Sequence, residues 1–150
     1  VPADRALWTE SFPHLASLVA RFDDSGRWDA FEVVKLKRWS KGRAAVLGDG
    51  AHAMPPYLGQ GGGCALMNGI GLAAAVADAP DIAAALEAWE ARERPLTEHT
   101  QEQSERQGDM NYWPDALRSQ VLTITGRSHE LAMQRMKTAL HVPTGTADAI

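Results

Sequence analysis

The residues best suited to chemistry in this chain form one stretch, GDGAHAMPPYLGQGGG, from Gly48 to Gly63. Its acidic residue, Asp49, directly follows a short apolar run, and a carboxylate at that point can accept hydrogen bonds from hydroxyl groups. Glycines then cluster at 59 and 61–63, where a backbone without side chains can approach a ligand closely. These residue types suit a ligand that carries both a polyol and an electron-rich carbonyl or phosphate.

Two predicted elements position this stretch. Residues 43–47 form an apolar run typical of a buried strand, and residues 64–76 form a helix of small residues. A helix start presents unpaired N–H groups and a partial positive charge, which attract an electron-rich group. The predicted order is therefore strand, acidic turn, two prolines, glycine cluster and helix.

Three other interpretations fit the glycine cluster less well than such a ligand site: a linker, a phosphate loop and a dinucleotide fingerprint. A mobile linker requires neither an Asp at a strand end nor an ordered run into an apolar helix. A phosphate loop of the nucleotide hydrolases ends in Gly-Lys-Ser/Thr, and no Lys follows these glycines. The dinucleotide fingerprint Gly-x-Gly-x-x-Gly fits the glycines from 59 to 63 badly.

The same stretch resembles the second flavin-binding motif of the flavin-dependent aromatic hydroxylases, the para-hydroxybenzoate hydroxylase-like FAD monooxygenases. The matching pattern is GD-x-AH-x-x-x-P from Gly48 to Pro56, followed by Gly59-Gln60-Gly61. The resemblance is strongest from Trp39 to Pro95. It departs from the family at Gly50, where an alanine is usual, at Asn68, where many members are acidic, and in its three consecutive glycines.

The resemblance implies a role for each part of the motif. Asp49 would hold a ribityl hydroxyl of FAD, the amides of Gly62 and Gly63 would face the pyrimidine edge of the flavin, and Pro56 would lie beside the isoalloxazine. The expected cofactor-binding residues are Gly48, Asp49, Pro56, Gly59, Gln60, Gly61, Gly62 and Gly63. The candidates for the substrate side are Pro55, Pro56 and Tyr57.

The resemblance also implies an α/β fold, which in this chain amounts to an α+β arrangement of two or three strands and several C-terminal helices. Members of the family begin with a strand and a Gly-x-Gly-x-x-Gly that bind the ADP half of FAD, and no such pattern occurs here. We therefore expect a C-terminal portion, completed by an N-terminal half in a separate chain or segment. Residues 1–39 would end the substrate-binding domain, 40–95 would form the second half of a Rossmann-like FAD-binding domain, and 96–150 a C-terminal helical region.

The activity implied is hydroxylation of a small aromatic substrate with O₂ and NAD(P)H, through a hydroperoxide at C4a of the flavin. The cofactor performs the reaction with oxygen, and the protein orients the reactants, stabilises charge and excludes water. We therefore expect no catalytic acid, base or nucleophile in this chain. His52 is structural in the family. The alternatives are a non-catalytic helical interaction module, with the glycine loop as a hinge, or an FAD enzyme of related fold with different chemistry, such as a halogenase or an oxidase.

Composition and charge argue against several kinds of partner and site. A net charge of −4 argues against nucleic acid as a partner, since binding phosphates requires a positive face. No apolar run reaches the roughly 20 residues of a membrane span. The five histidines show no metal-ligand spacing, so no metal is expected. A single cysteine, Cys64, excludes an internal disulfide and favours a reducing compartment, which we expect to be the cytoplasm.

Outside the motif, periodicity predicts further elements. Apolar spacing predicts a helix from Thr9 to Phe22, capped by Thr9 or Ser11, followed by a turn over residues 23–26. Residues 31–39 alternate partly and predict a strand, followed by a tight turn over residues 40–43.

The second half of the sequence predicts helices. Asp81 is the expected cap of a helix to Arg92, and Pro95 is expected to kink or restart it. Residues 92–94 are expected to be a solvated helix end, and the polar stretch 96–107 is expected on the surface. One further helix is predicted to begin at residues 113–115 and to run to about residue 124, with Gly126 as its end. A last helix is predicted after Ser128, which would cap it, and residues 141–150 are expected to form a frayed tail.

Overall fold

The computed structural model describes residues 3–23, 26–27, 29–143 and 145–146. These residues fall into two compact units, one up to Ala30 and the other from Phe31 onward. In the described part of the chain, helices dominate and the strands form a two-stranded sheet, which confirms the predicted α+β arrangement with several C-terminal helices.

The first unit contains two short helices, α1 (Arg5–Ser11) and α2 (Ala16–Val19), joined by a 3₁₀ turn over Pro13–Leu15. Asp4 caps α1, because its Oδ1 accepts the N–H of Leu7 at 3.0 Å. The prediction of one helix from residue 9 to 22 is therefore wrong, since proline has no N–H with which to continue a helix. Residues 24 and 25 of the predicted turn lie outside the described residues.

The second unit begins with an extended stretch that leads into the sheet. Strand β1 (Ser40–Lys41) pairs antiparallel with β2 (Ala44–Ala45) across a turn in which Gly42 has a φ of +58°. The predicted strand over 31–39 is wrong, because its backbone bonds go mostly to helix side chains instead of a neighbouring strand. Arg94 donates to the carbonyls of Leu36 and Lys37 at 2.8 and 2.7 Å.

Three helices follow the sheet: α3 (Asp49–His52), α4 (Gly61–Val76) and α5 (Ile82–Asp109). The predicted cap of α5 is confirmed, since Asp81 Oδ1 accepts the N–H of Ala84 at 3.2 Å. Helix α5 continues through Pro95 without restarting, although the proline removes one helix hydrogen bond. Residues on both sides of Pro95, Glu93 and Thr97, are fully buried, so packing holds the helix together there.

One face of the polar second half of α5 is buried, so the prediction of a surface position for residues 96–107 is wrong for that face and right for the opposite one, where Glu102 and Arg106 are exposed. The buried residues there are Thr97, Thr100, Gln101 and Ser104. The prediction of a solvated end at 92–94 is also wrong, because Glu93 is fully buried and Arg94 binds the extended stretch. The side chains of Thr100, Gln101 and Ser104 can be buried because each donates to a backbone carbonyl.

The apolar core joins the sheet, the motif and α5 through Trp39, Ala51 and Trp89. The rings of Trp39 and Trp89 lie 5.9 Å apart. Trp89 also donates its indole N–H to the backbone oxygen of Asn68 at 3.0 Å, which ties α5 to the middle of α4.

Two helices complete the chain, α6 (Asp115–Arg127) and α7 (His129–Met136). Ser128 caps α7 as predicted, because its Oγ accepts the N–H of Leu131 at 3.3 Å. Helix α6 continues past Gly126 to Arg127, so the predicted end at this glycine is wrong. Residues 144 and 147–150 of the predicted tail lie outside the described residues.

Candidate functional site

Two of the predicted cofactor-binding glycines have a backbone conformation that other residues rarely adopt. Gly48 has φ +65° and ψ −152° at the start of α3, and Gly59 has φ +65° after the short 3₁₀ turn Pro56–Leu58. Side chains are rarely tolerated at a positive φ. Both ends of the segment between Asp49 and Leu58 therefore turn in a way that only glycine allows easily.

The turn that carries Asp49 packs against α4. A Cβ added at Gly48 would lie 3.9 Å from the Cβ of Ala65, and one added at Gly69 would lie 3.7 Å from Cδ1 of Leu47. Asp49 itself is exposed in the first turn of α3. Its carboxylate is therefore free to meet a ligand beside the first turns of α4.

The glycine cluster forms the open start of α4. Gln60 precedes the helix without capping it through its side chain, and the first helical bond runs from the N–H of Cys64 to the carbonyl of Gln60 at 2.9 Å. The N–H groups of residues 61–63 therefore have no acceptor within the helix. A Cβ added at Gly62 or Gly63 would meet no protein atom within 4 Å.

These features form a cradle that would accept part of FAD. The amides and the positive end of a 16-residue helix suit the electron-rich pyrimidine edge of a flavin, and the exposed Asp49 suits a ribityl hydroxyl. Because a Cβ at Gly62 or Gly63 would meet no protein atom within 4 Å, there is room next to both residues for close approach of a planar ring.

The motif histidine, His52, lies beneath this cradle. It is 1% exposed, its ring centre lies 5.2 Å from that of Trp39, and its Nε2 lies 3.1 Å from the side-chain nitrogen of Asn68. Burial lowers the pKa of the His52 imidazole below its usual range, against a smaller opposing effect of the Asp49 charge. His52 is thus placed as a neutral structural side chain.

Asn68, at a position where the sequence departs from the family pattern, is the central cross-link of the motif. It is fully buried, and its side-chain nitrogen also donates to Oγ1 of Thr97 on α5 at 3.1 Å. One amide thus connects the His52 ring to α5, and a carboxylate here could donate to neither group when ionised.

The three substrate-side candidates have different environments. Pro55 is buried, Pro56 is exposed and Tyr57 is 40% exposed. The Tyr57 ring meets the edge of Phe31, with centres 6.2 Å apart and planes at 77°. Pro56 and Tyr57 therefore form the accessible part of this wall, and Pro55 anchors it.

Two residues that hold this wall were missed from the sequence. Gln101 and Ser104 of α5 donate side-chain hydrogen bonds to the carbonyls of Ala53 and Pro55, at 2.8 and 2.5 Å. The available signal was the recurrence of polar residues at positions 97, 101 and 104, which share one helix face.

A cavity of about 380 Å³ lies beside the glycine cluster, between α4 and the segment after α7. Its walls include Gln60, Cys64 and Met67 on one side and His141 on the other. Gln60 is bound from this side, since its side-chain nitrogen donates to the carbonyl of Arg135 at 3.1 Å. Burial raises the pKa of the Cys64 thiol, which keeps it protonated near neutral pH.

Neither a metal centre nor a membrane span is found in the described residues. Over that part of the chain, acidic, histidine and cysteine side chains nowhere form a group of three or more that could hold a metal ion. Within the same ranges, every helix is too short or too polar to cross a bilayer.

Comparison with known proteins places this geometry in a family. No family profile matches the chain. A 2-heptyl-3-hydroxy-4(1H)-quinolone synthase of Mycobacteroides abscessus is 44% identical over 135 residues, which cover 89% of this chain and 36% of that protein. AqdB1 of Rhodococcus erythropolis, whose name carries the same activity, is 45% identical over 144 residues, or 96% of this chain and 38% of that protein.

Two further comparisons indicate FAD as the cofactor of the related enzymes. An FAD-dependent urate hydroxylase of Klebsiella pneumoniae is 35% identical over 82 residues, which cover 53% of this chain and 21% of that protein. The tetrameric form of 2-methyl-3-hydroxypyridine-5-carboxylic acid oxygenase superposes with a TM-score of 0.72 at 34% identity, over 95% of this chain and 36% of that one. The chain belongs with the FAD-dependent aromatic monooxygenases and matches their C-terminal part. The predicted family is confirmed, and the chain spans 36–38% of the length of its more similar relatives.

The lowered pKa of His52 predicts how stability depends on pH. Because its folded pKa lies below its unfolded value, the unfolded state binds the extra proton first, and stability is lost as the pH falls below the unfolded pKa of about 6.5. Urea unfolding of the protein between pH 7.5 and 5.5 should show a falling midpoint, and H52Q should reduce that slope.

The matched control for this experiment is H129Q, because His129 is exposed at the start of α7. The slope should be the same in H129Q as in the unchanged protein. A slope in H52Q equal to that of the control would show that His52 is not held neutral by burial.

Proposed function

We propose that the complete protein is an FAD- and NAD(P)H-dependent monooxygenase that hydroxylates an aromatic substrate, and that this chain supplies one wall of its flavin site. The observation that carries this proposal is the open glycine cluster at the start of α4, next to the exposed Asp49. The bound flavin, once reduced by NAD(P)H, supplies the activation of O₂. One oxygen atom enters the substrate and the other leaves as water.

The residues of this chain would bind and orient the cofactor. Asp49 accepts a ribityl hydroxyl, and the N–H groups of Gly62 and Gly63 donate to the pyrimidine edge of the flavin. Donors fixed in this way stabilise negative charge on a reduced flavin by the same physics as an oxyanion hole. Gly48, Gly59, Gln60 and Gly61 give the loop the path that brings these groups together.

The prolines and Tyr57 would form the side of the pocket nearer to the substrate. Proline lacks an N–H, so Pro55 and Pro56 offer no backbone donor that would retain water next to the reacting centre. The half-exposed Tyr57 ring gives this wall an aromatic surface that can contact a planar substrate.

We also propose that an N-terminal half, as a separate chain or segment, completes the FAD-binding domain. Large apolar residues near the motif are left exposed in the described structure, notably Leu66 at 71% and Ile70 at 51%, one turn apart on α4. Val46 and Leu47, before α3, are 45% and 38% exposed. Such a group of residues marks an interaction face, and the other half of the domain is its proposed occupant.

The substrate class follows from the names of the more similar relatives. The names of the two quinolone synthases describe formation of a quinolone that carries a 3-hydroxyl, and a hydroxylase would form it from the compound without that hydroxyl. We therefore propose a 2-alkyl-4(1H)-quinolone as the first candidate substrate, with a hydroxypyridine carboxylic acid as the second.

Enzyme assays test this proposal directly. NAD(P)H oxidation by the complete protein loaded with FAD should rise when 2-heptyl-4(1H)-quinolone is added, and mass spectrometry should find a product heavier by one oxygen atom from ¹⁸O₂. A hydroxypyridine carboxylic acid and a simple phenol serve as comparison substrates. A yellow protein that oxidises NAD(P)H without any hydroxylated product would favour an oxidase, and a colourless protein would favour a non-catalytic helical module.

Removing the Asp49 carboxylate should weaken FAD binding. In D49A a ribityl hydroxyl loses a charged acceptor, which corresponds to a rise in Kd of about 10- to 150-fold. Titration of the complete apoprotein with FAD measures this change. D78A, which removes another exposed carboxylate just after α4, should leave the Kd unchanged; an equal Kd in both variants would refute the role of Asp49.

Adding a side chain at Gly62 should block the flavin without disturbing the protein. An added Cβ meets no protein atom within 4 Å, so G62V should fold normally and fail to retain FAD after gel filtration. G126V places the same change at another open helical glycine, in α6, and should retain the cofactor. Full flavin absorbance near 450 nm in G62V would contradict the proposed position of the ring.

A further inference from the structure

One face of the second half of α5 meets the substrate-side loop at every turn. Gln101, Ser104 and Gly108 are spaced by three and four residues, which places them in one row along the helix. All three are buried. Each contacts a different part of the segment from Ala53 to Tyr57, and the contacts follow the same order along both stretches.

Gln101 fixes the beginning of that segment. Its side-chain nitrogen lies 2.8 Å from the carbonyl of Ala53 and 2.8 Å from the carbonyl of Val34. The N–H of Val34 also donates to the carbonyl of Ala53, at 3.1 Å. One buried amide thus fastens two chain segments at the point where α3 ends and the proline loop begins.

Ser104 and Gly108 fix the rest of the segment. The Ser104 hydroxyl donates to the carbonyl of Pro55 at 2.5 Å. The Tyr57 ring lies directly on Gly108, because a Cβ added there would overlap Cε2 of that ring and lie 2.7 Å from Cδ2. A residue larger than glycine would force the ring to move.

The dimensions of the two stretches agree. From Gln101 to Gly108 the helix rises about 10 Å at 1.5 Å per residue. From Ala53 to Tyr57 an extended chain spans at most about 13 Å, and the 3₁₀ turn that starts at Pro56 shortens it. The two stretches are therefore of similar length, which lets the loop run alongside this face of the helix.

The loop needs outside donors for a chemical reason. Pro55 and Pro56 supply no N–H groups, so the backbone at these two residues can accept hydrogen bonds but cannot donate any. The carbonyl of Pro55 is buried and must find a donor elsewhere. The face of α5 provides that donor.

We propose that Gln101, Ser104 and Gly108 are positioning residues, which set the place of Pro56 and the tilt of the Tyr57 ring in the active site. This inference rests on the proposed function, since only that function makes the loop a wall of the substrate pocket. All three residues are buried, so they act through the residues that they contact. Their effect passes through the backbone of residues 53–57 and the Tyr57 ring.

The first test measures hydrogen–deuterium exchange and kinetics in the complete FAD-loaded protein. S104A should raise deuterium uptake in the peptide covering residues 53–60 and leave uptake in residues 82–94 unchanged. With 2-heptyl-4(1H)-quinolone as the probe, KM should rise about threefold to tenfold, the change expected from the loss of one hydrogen bond. The Kd for FAD should stay within about twofold of its original value, because the hydroxyl does not reach the flavin.

Matched variants separate positioning from general stability. Q101M removes both donors and keeps a similar length, so it should act like S104A, whereas Q103M on the same helix and S119A on α6 should have no effect. Increased uptake throughout the chain in S104A would overturn the proposal, because the residue would then support the whole fold. Unchanged uptake at 53–60 would overturn it as well.

The second test uses Gly108 and Tyr57 together. G108A should raise uptake at 53–60 in the unchanged background, whereas adding G108A to Y57A should raise it no further, because the ring that the new methyl group would meet is absent. An equal effect in both backgrounds would overturn the proposed contact.

These outcomes are separable from those of the proposed function. If the unchanged protein holds no FAD, the proposed function fails and the positioning role fails with it. If the unchanged protein binds FAD and hydroxylates the quinolone while S104A and Q101M match their controls, the function stands and only the positioning role is refuted.

Discussion

Backbone carbonyls that have no neighbouring strand to pair with, most of them at least partly buried, determine how the motif is held in place. The stretch from Val34 to Pro55 contains carbonyl groups that a sheet ladder does not pair, and a buried carbonyl without a donor is costly. Helix α5 supplies the donors from side chains: Arg94 at Leu36 and Lys37, Gln101 at Val34 and Ala53, and Ser104 at Pro55. The polar residues on this face of the helix are therefore a requirement of packing and not a sign of exposure.

This arrangement gives the motif two sides with different tasks. On one side the loop is held to α5, and Asn68 joins His52 to the same helix through Thr97. On the other side the N–H groups of residues 61–63 have no acceptor within α4, a Cβ added at Gly62 or Gly63 would meet no protein atom within 4 Å, and Asp49 is exposed. A rigid support behind an open row of donors is what precise binding of a flat cofactor requires.

Local backbone features could be predicted from the sequence more readily than the elements around them. The turns at Gly48 and Gly59 depend on local backbone geometry, which residue type reveals directly. The same holds for the caps Asp81 and Ser128. The strand over 31–39 and the exposed helix over 96–107 were wrong for one shared reason. Each depends on a partner distant in sequence, and alternation or polarity alone does not show whether hydrogen bonds run to a strand, to water or to buried side chains.

A crystal structure of the complete protein grown with FAD would show whether residues 48–63 form a cradle for the flavin ring. We expect the N–H groups of Gly62 and Gly63 within about 3.2 Å of acceptors on the pyrimidine edge of the flavin, and the carboxylate of Asp49 bound to the ribityl chain. Amides that face water or another protein surface, with the flavin bound elsewhere or absent, would contradict this expectation.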